Sequence, residues 1–290
     1  MDSPLGPGPG ATPATGPQWH PPYAPPGPPP SQYGPPPYPP YPPPPASPGR
    51  PPVPRGPLWP VFSLLGLLVL GVVVGSVAAL AVQTALGKGV TDKTAPGATL
   101  AGLFAQWAVF GGATWWWARR QREEPPAAAL GVGPLRGKDV LLGLAWAGAM
   151  LVAAQAVATV AAVLLHPKLR DTFTDYVVDT KGIAGVLLVG LGVLGAPVVE
   201  EFFFRGALLG ALRRRARTGV AIATSAFIFA ILHADAFDRL ALVTVTSIFA
   251  VGTMLAAFRV MTGRLWPCVV AHMSYNAIIF TLASLVGHAR

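Results

Sequence analysis

Glu200, Glu201 and Arg205 stand in the string VEEFFFRG (199–206), directly after a run from Ile183 to Val199 without one charged residue. Two more polar sites interrupt apolar stretches: His233 in FAILH (229–233), and His272 with Asn276 in HMSYN (272–276). An ionisable group in such surroundings costs about 2.5–3.5 kcal/mol on membrane-insertion scales, so it needs a partner or a use. Glu201 and Arg205 are four residues apart and share a helix face, where they can pair. Glu200 is turned about 100° from Glu201 and need not share that partner. Arg205 then neutralises and holds Glu201, while Glu200 is left to act as a general base. Pro197 removes a backbone donor three residues before Glu200 and predicts a kink there. Each element also has a plainer reading. A Glu–Arg pair can simply fix helix packing, a lone histidine can be a hydrogen-bonded packing residue, and a His with an Asn can be a helix–helix contact.

These residues must be positioned by membrane helices. The chain of 290 residues is 52% hydrophobic and 11% charged, with mean hydropathy +0.50. Ordinary soluble domains carry about 25% charged residues. The single cysteine, Cys268, excludes an intramolecular disulfide and a multi-thiolate metal site, and its apolar setting reads as a small buried hydrophobe. The formal charge of +9 does not point to nucleic acid, because the basic residues gather at the ends of apolar runs.

Residues 1–57 hold 26 of the 34 prolines and four of the six tyrosines. Such a stretch cannot bury a core and predicts a disordered, polyproline-II-rich cytoplasmic tail; docking into a partner's aromatic groove is its alternative use. From Leu58 onward seven apolar spans follow, near 59–86, 97–118, 139–165, 183–212, 218–235, 240–258 and 266–287. The expected fold is therefore an all-α, polytopic membrane helix bundle. It divides into the tail (1–57), two N-terminal membrane helices (58–137) and a C-terminal membrane domain (138–290). With the N-terminus in the cytoplasm, Lys and Arg number 13 on the inner side against 7 outside, Arg205 lying within a span. Counted from the inner ends of their helices, Glu200 stands about 18 Å deep and His233 about 22–24 Å, but His272 only about 9 Å. Tilt, or a deeper start of the last helix, must absorb that difference.

EEFFFRG (Glu200–Gly206), FAILH and HMSYN together resemble the three motifs of the CAAX prenyl endopeptidase family, which includes bacterial abortive-infection and bacteriocin-processing membrane proteases. The patterns are Glu-Glu-x3-Arg, Phe-x3-His and His-x3-Asn, in that order, over roughly residues 138–287. The resemblance implies an intramembrane endopeptidase acting on membrane-associated, in some members lipidated, proteins or peptides. It implies Glu200 as the base that activates water, His233 as a residue holding that water, His272 and Asn276 as oxyanion donors, and Glu201 with Arg205 as shapers of the site. The family is described both as metalloproteases and as glutamate-dependent proteases. Glu200, His233 and His272 form a two-His, one-carboxylate set of the kind that binds zinc, but no His-Glu-x2-His string is present, and both mechanisms stay open. Serine chemistry at Ser225 or Ser274 lacks a Gly-x-Ser-x-Gly setting, and Asp235 with Asp238 falls in a loop. A non-catalytic scaffold, immunity factor or transporter-like protein of the same fold is the competing class.

Overall fold

The computed structural model describes residues 57–89, 94–121, 124–168, 173–234 and 239–287. The expected disordered tail, but for Pro57, and the Asp235–Asp238 pair lie outside the described residues. Packing separates Met1–Pro51 from a second unit, Pro52–Arg290, to which every described residue belongs.

Every regular element among the described residues is helical. In chain order these are α1 (Trp59–Ala85), α2 (Pro96–Arg119), α3 (Pro126–Ala129), α4 (Gly137–Leu165) and α5 (Phe173–Asp179). A continuous helix then runs from Gly182 to Arg213. It comprises α6 (Gly182–Gly190), a first π-turn (Leu191–Gly195), α7 (Ala196–Glu201), a second π-turn (Phe202–Leu208) and α8 (Leu209–Arg213). The chain closes with α9 (Thr218–Ile231), α10 (Arg239–Thr262) and α11 (Trp266–Gly287). This is a multi-pass membrane protein: five helices are long and apolar enough to cross a bilayer, at 59–85, 137–165, 182–213, 240–262 and 266–285. The other two expected spans form helices at their predicted places but fall short of that standard. α2 has the length without the apolarity. α9 has 14 residues and rises only about 21 Å, less than the ~30 Å hydrocarbon core.

Glycines set the close approaches. A Cβ on Gly75 of α1 would come within 2.8 Å of the Gly102 carbonyl of α2. A Cβ on Gly143 of α4 would lie 2.7 Å from Val270 of α11. Small residues at such crossings let helix backbones meet where no water-driven force operates between helices. Trp146 of α4 stacks on Phe258 of α10 with centroids 4.5 Å apart, adding aromatic contact to the α4–α10 seam.

The start of α11 accounts for the depth of His272. The Leu265 N–H donates to the Gly131 carbonyl (3.0 Å), and the Trp266 indole N–H donates to Gly133 (2.6 Å). Arg264 forks onto both oxygens of Asp139 (2.8 and 2.6 Å) and also donates to Pro134. The segment after α3 therefore forms a floor on which α11 begins. Trp266 meets Phe202 edge to face (6.1 Å), eleven residues before Arg213, so α11 starts well inside the bundle. That is the deeper helix start required above, and it brings His272 to the glutamates.

Candidate active site

Glu200 and Glu201 occupy the last two positions of α7, a six-residue α-helical segment between two π-turns. π-turns inside helices are uncommon and occur often at functional sites, because the extra residue rotates the following side chains. Here Pro197 is the second residue past the first π-turn, so the expected disturbance is a widened turn.

The two carboxylates live in different environments. Glu201 is fully buried, and its Oε1 accepts from Arg205 Nη1 (2.9 Å) and from His272 Nδ1 (2.9 Å). Its Oε2 is buried with no hydrogen-bond partner among the described residues, which leaves one acceptor of the site open. Arg205 also donates to the Gly252 carbonyl of α10 (3.3 Å) and lies over the Phe229 ring (4.4 Å). The Glu200 side chain keeps 18% of its surface exposed, and its Oε2 stands 3.9 Å from His272 Nε2. His272 thus lies between the carboxylates. Nδ1 is committed to the buried one, and Nε2 faces the accessible one across a gap longer than a hydrogen bond.

The remaining predicted residues divide. His233 is half-buried at the end of α9; its Nδ1–H donates to the Phe229 carbonyl (2.8 Å) and its ring tilts against Phe229 (4.6 Å). That bond leaves Nε2 of the neutral ring as an acceptor. Asn276 Nδ2 donates to the Gly192 carbonyl in the first π-turn (2.9 Å), tying α11 to the glutamate-bearing helix. The possible two-His, one-carboxylate ligand set is not assembled: among the described residues no three His, Cys, Asp or Glu side chains group as a metal site. The Phe229 ring contacts both His233 (4.6 Å) and His272 (5.8 Å), linking the α9 and α11 motifs. No step below runs through a metal.

Phe229, Gly252 and Gly192 are parts of the site that residue type alone did not single out. Phe229 carried a signal, its i, i+4 spacing to His233. Gly252 and Gly192 contribute only carbonyl oxygens, which every residue has.

Residues 182–278 match the family model described as Rce1-like, type II CAAX prenyl endopeptidase Rce1-like. All six predicted site residues fall within that stretch. Neither the curated proteins nor the solved structures include a match to the chain.

Proposed function

We propose that this protein is an endopeptidase that cleaves a peptide bond of a membrane-associated protein or peptide inside its helix bundle. The observation that carries this reading is the unequal carboxylate pair about His272. One carboxylate is buried, paired and fixed, and the other is accessible and free of a cationic clamp.

In the reaction so read, Glu200 takes a proton from a water molecule, and the resulting hydroxide adds to the scissile carbonyl carbon. His233 Nε2, left as an acceptor, helps to hold that water. The oxyanion that forms receives hydrogen bonds from His272, when its Nε2 carries a proton, and from the second amide hydrogen of Asn276. The C–N bond then breaks, and Glu200 passes its proton to the departing amine. Glu201 and Arg205 do not touch the substrate. They fix the His272 ring through Nδ1, as a buried carboxylate does for a catalytic histidine elsewhere. In this reading residues 138–290 are the catalytic membrane domain, and the N-terminus faces the cytoplasm.

The test compares peptide termini by mass spectrometry in membranes of cells carrying wild type or Glu200→Gln at matched abundance. A cut near a membrane anchor, present only with wild type, is the expected result. An unchanged set of termini across growth conditions overturns the enzyme reading and leaves the non-catalytic scaffold.

A further inference from the structure

The first π-turn contains a backbone acceptor that its own helix cannot satisfy. In this turn the Ala196 N–H reaches back five residues to the Leu191 carbonyl. The next carbonyl in that register, Gly192, is due a bond from residue 197, which is proline and has no N–H. An acceptor orphaned at membrane depth is costly unless another side chain or water supplies a donor. The Asn276 amide of α11 supplies the donor at 2.9 Å. A second contact shows that α11 is shaped for this spot. One turn beyond Asn276, the ring of Phe280 packs so closely on Gly192 that a Cβ there would lie 2.9 Å from it. Across the turn, Trp107 of α2 comes as close to Gly195 (2.9 Å to a Cβ). The π-turn is gripped from both sides, and its free carbonyl points at one polar side chain.

We propose that Asn276 has a second, positioning role: its amide replaces the backbone donor that Pro197 withholds, so that α11 and the glutamate-bearing helix are locked in one register. His272 rides on the same helix, one turn before Asn276, and Glu200 and Glu201 follow Pro197 within a turn. The lock therefore fixes the distance between His272 and both carboxylates. The proposal concerns how the site is held, and it stands or falls whether or not the protein cleaves peptides.

A rescue experiment tests it with the full-length protein in detergent micelles. Asn276→Ala should lower the melting temperature, read by tryptophan fluorescence, by roughly 3–8 °C, the loss expected when one part-buried acceptor is orphaned. It should also shift the ring-nitrogen NMR signals of His272, which a uniformly loosened protein would not do selectively. Pro197→Ala restores an N–H at residue 197. In that background the Asn276→Ala penalty should shrink to less than half, and the His272 signals should return toward wild type. An equal Asn276→Ala penalty in both backgrounds, or His272 signals untouched by the single substitution, overturns the proposal. Should Pro197→Ala not yield folded protein, Asn276→Leu decides. It has nearly the same shape and no donor, and it is expected to melt below wild type. Wild-type melting of that variant overturns the proposal.

Discussion

At the scale of single residues, the buried Glu201–Arg205 pair makes a distinctive prediction. Both side chains have 0% exposure, so each ion is tolerable only because the other is there. Removing one partner leaves a buried charge, and Arg205→Ala should cost about 3–5 kcal/mol and sharply lower abundance. Replacing both, as in Glu201→Gln with Arg205→Met, should cost far less than either single change, because no uncompensated charge remains. A double-mutant cycle of melting temperatures checks this, and additive penalties would contradict it. Glu200→Gln should behave differently: a melting temperature close to wild type, with any peptidase activity down at least ~100-fold. The six polar residues were legible in the sequence because charge and amide groups stand out against apolar runs. So was the Glu201–Arg205 pairing, which follows from helix periodicity alone. Their carbonyl partners at Gly192 and Gly252 were not legible, since an oxygen common to every residue carries no sequence signal.

At the scale of elements, the glycine crossings separate packing from propensity. Gly143→Ala places a Cβ 2.7 Å from Val270, close to a backbone that cannot swing away. It should destabilise by about 1–3 kcal/mol and disturb α11, which carries His272. Gly66→Ala on α1 meets nothing within 4 Å and should be neutral or slightly stabilising through helix propensity. Thermal melts of the two variants side by side measure the contrast; equal shifts would refute the packing argument. The apolar runs revealed where these helices lie, because length and composition decide them locally, and five of them are long and apolar enough to cross a bilayer. They did not reveal α3, α5 or the two π-turns. A π-turn depends on where its freed carbonyl finds a donor, and here those donors come from other helices. Asn276 serves Gly192, and the Ser225 hydroxyl serves Phe204 (3.4 Å).

At the scale of the whole molecule, the orientation proposal can be checked with the protein's own cysteine economy. Cys268 is the single cysteine and is buried, with its thiol toward the Leu255 carbonyl (3.7 Å). Cys268→Ala should be tolerated and gives a cysteine-free background. In it, Arg214→Cys should react with a membrane-impermeant maleimide only after the cells are opened, and Lys88→Cys in intact cells. The reverse pattern would place the N-terminus outside. The positive charge that closes α2 is held by geometry as well as number. Arg120 lies over Trp116 (4.6 Å), and Arg119 lies over Trp115 (4.5 Å), so cations and interfacial rings are paired at one level.

The floor beneath α11 bears on the order in which the molecule is built. The ribosome releases residues 131–136 long before Leu265 and Trp266 exist, so the Gly131 and Gly133 carbonyls must wait for their donors. The same helix later supplies the ring that meets Glu201 and the amide that meets Gly192. Until the last segment is threaded in, several polar atoms of the earlier helices lack their final partners together. A chain cut short before Trp266 would carry all of these vacancies at once. Insertion of α11 thus closes all of these bonds together.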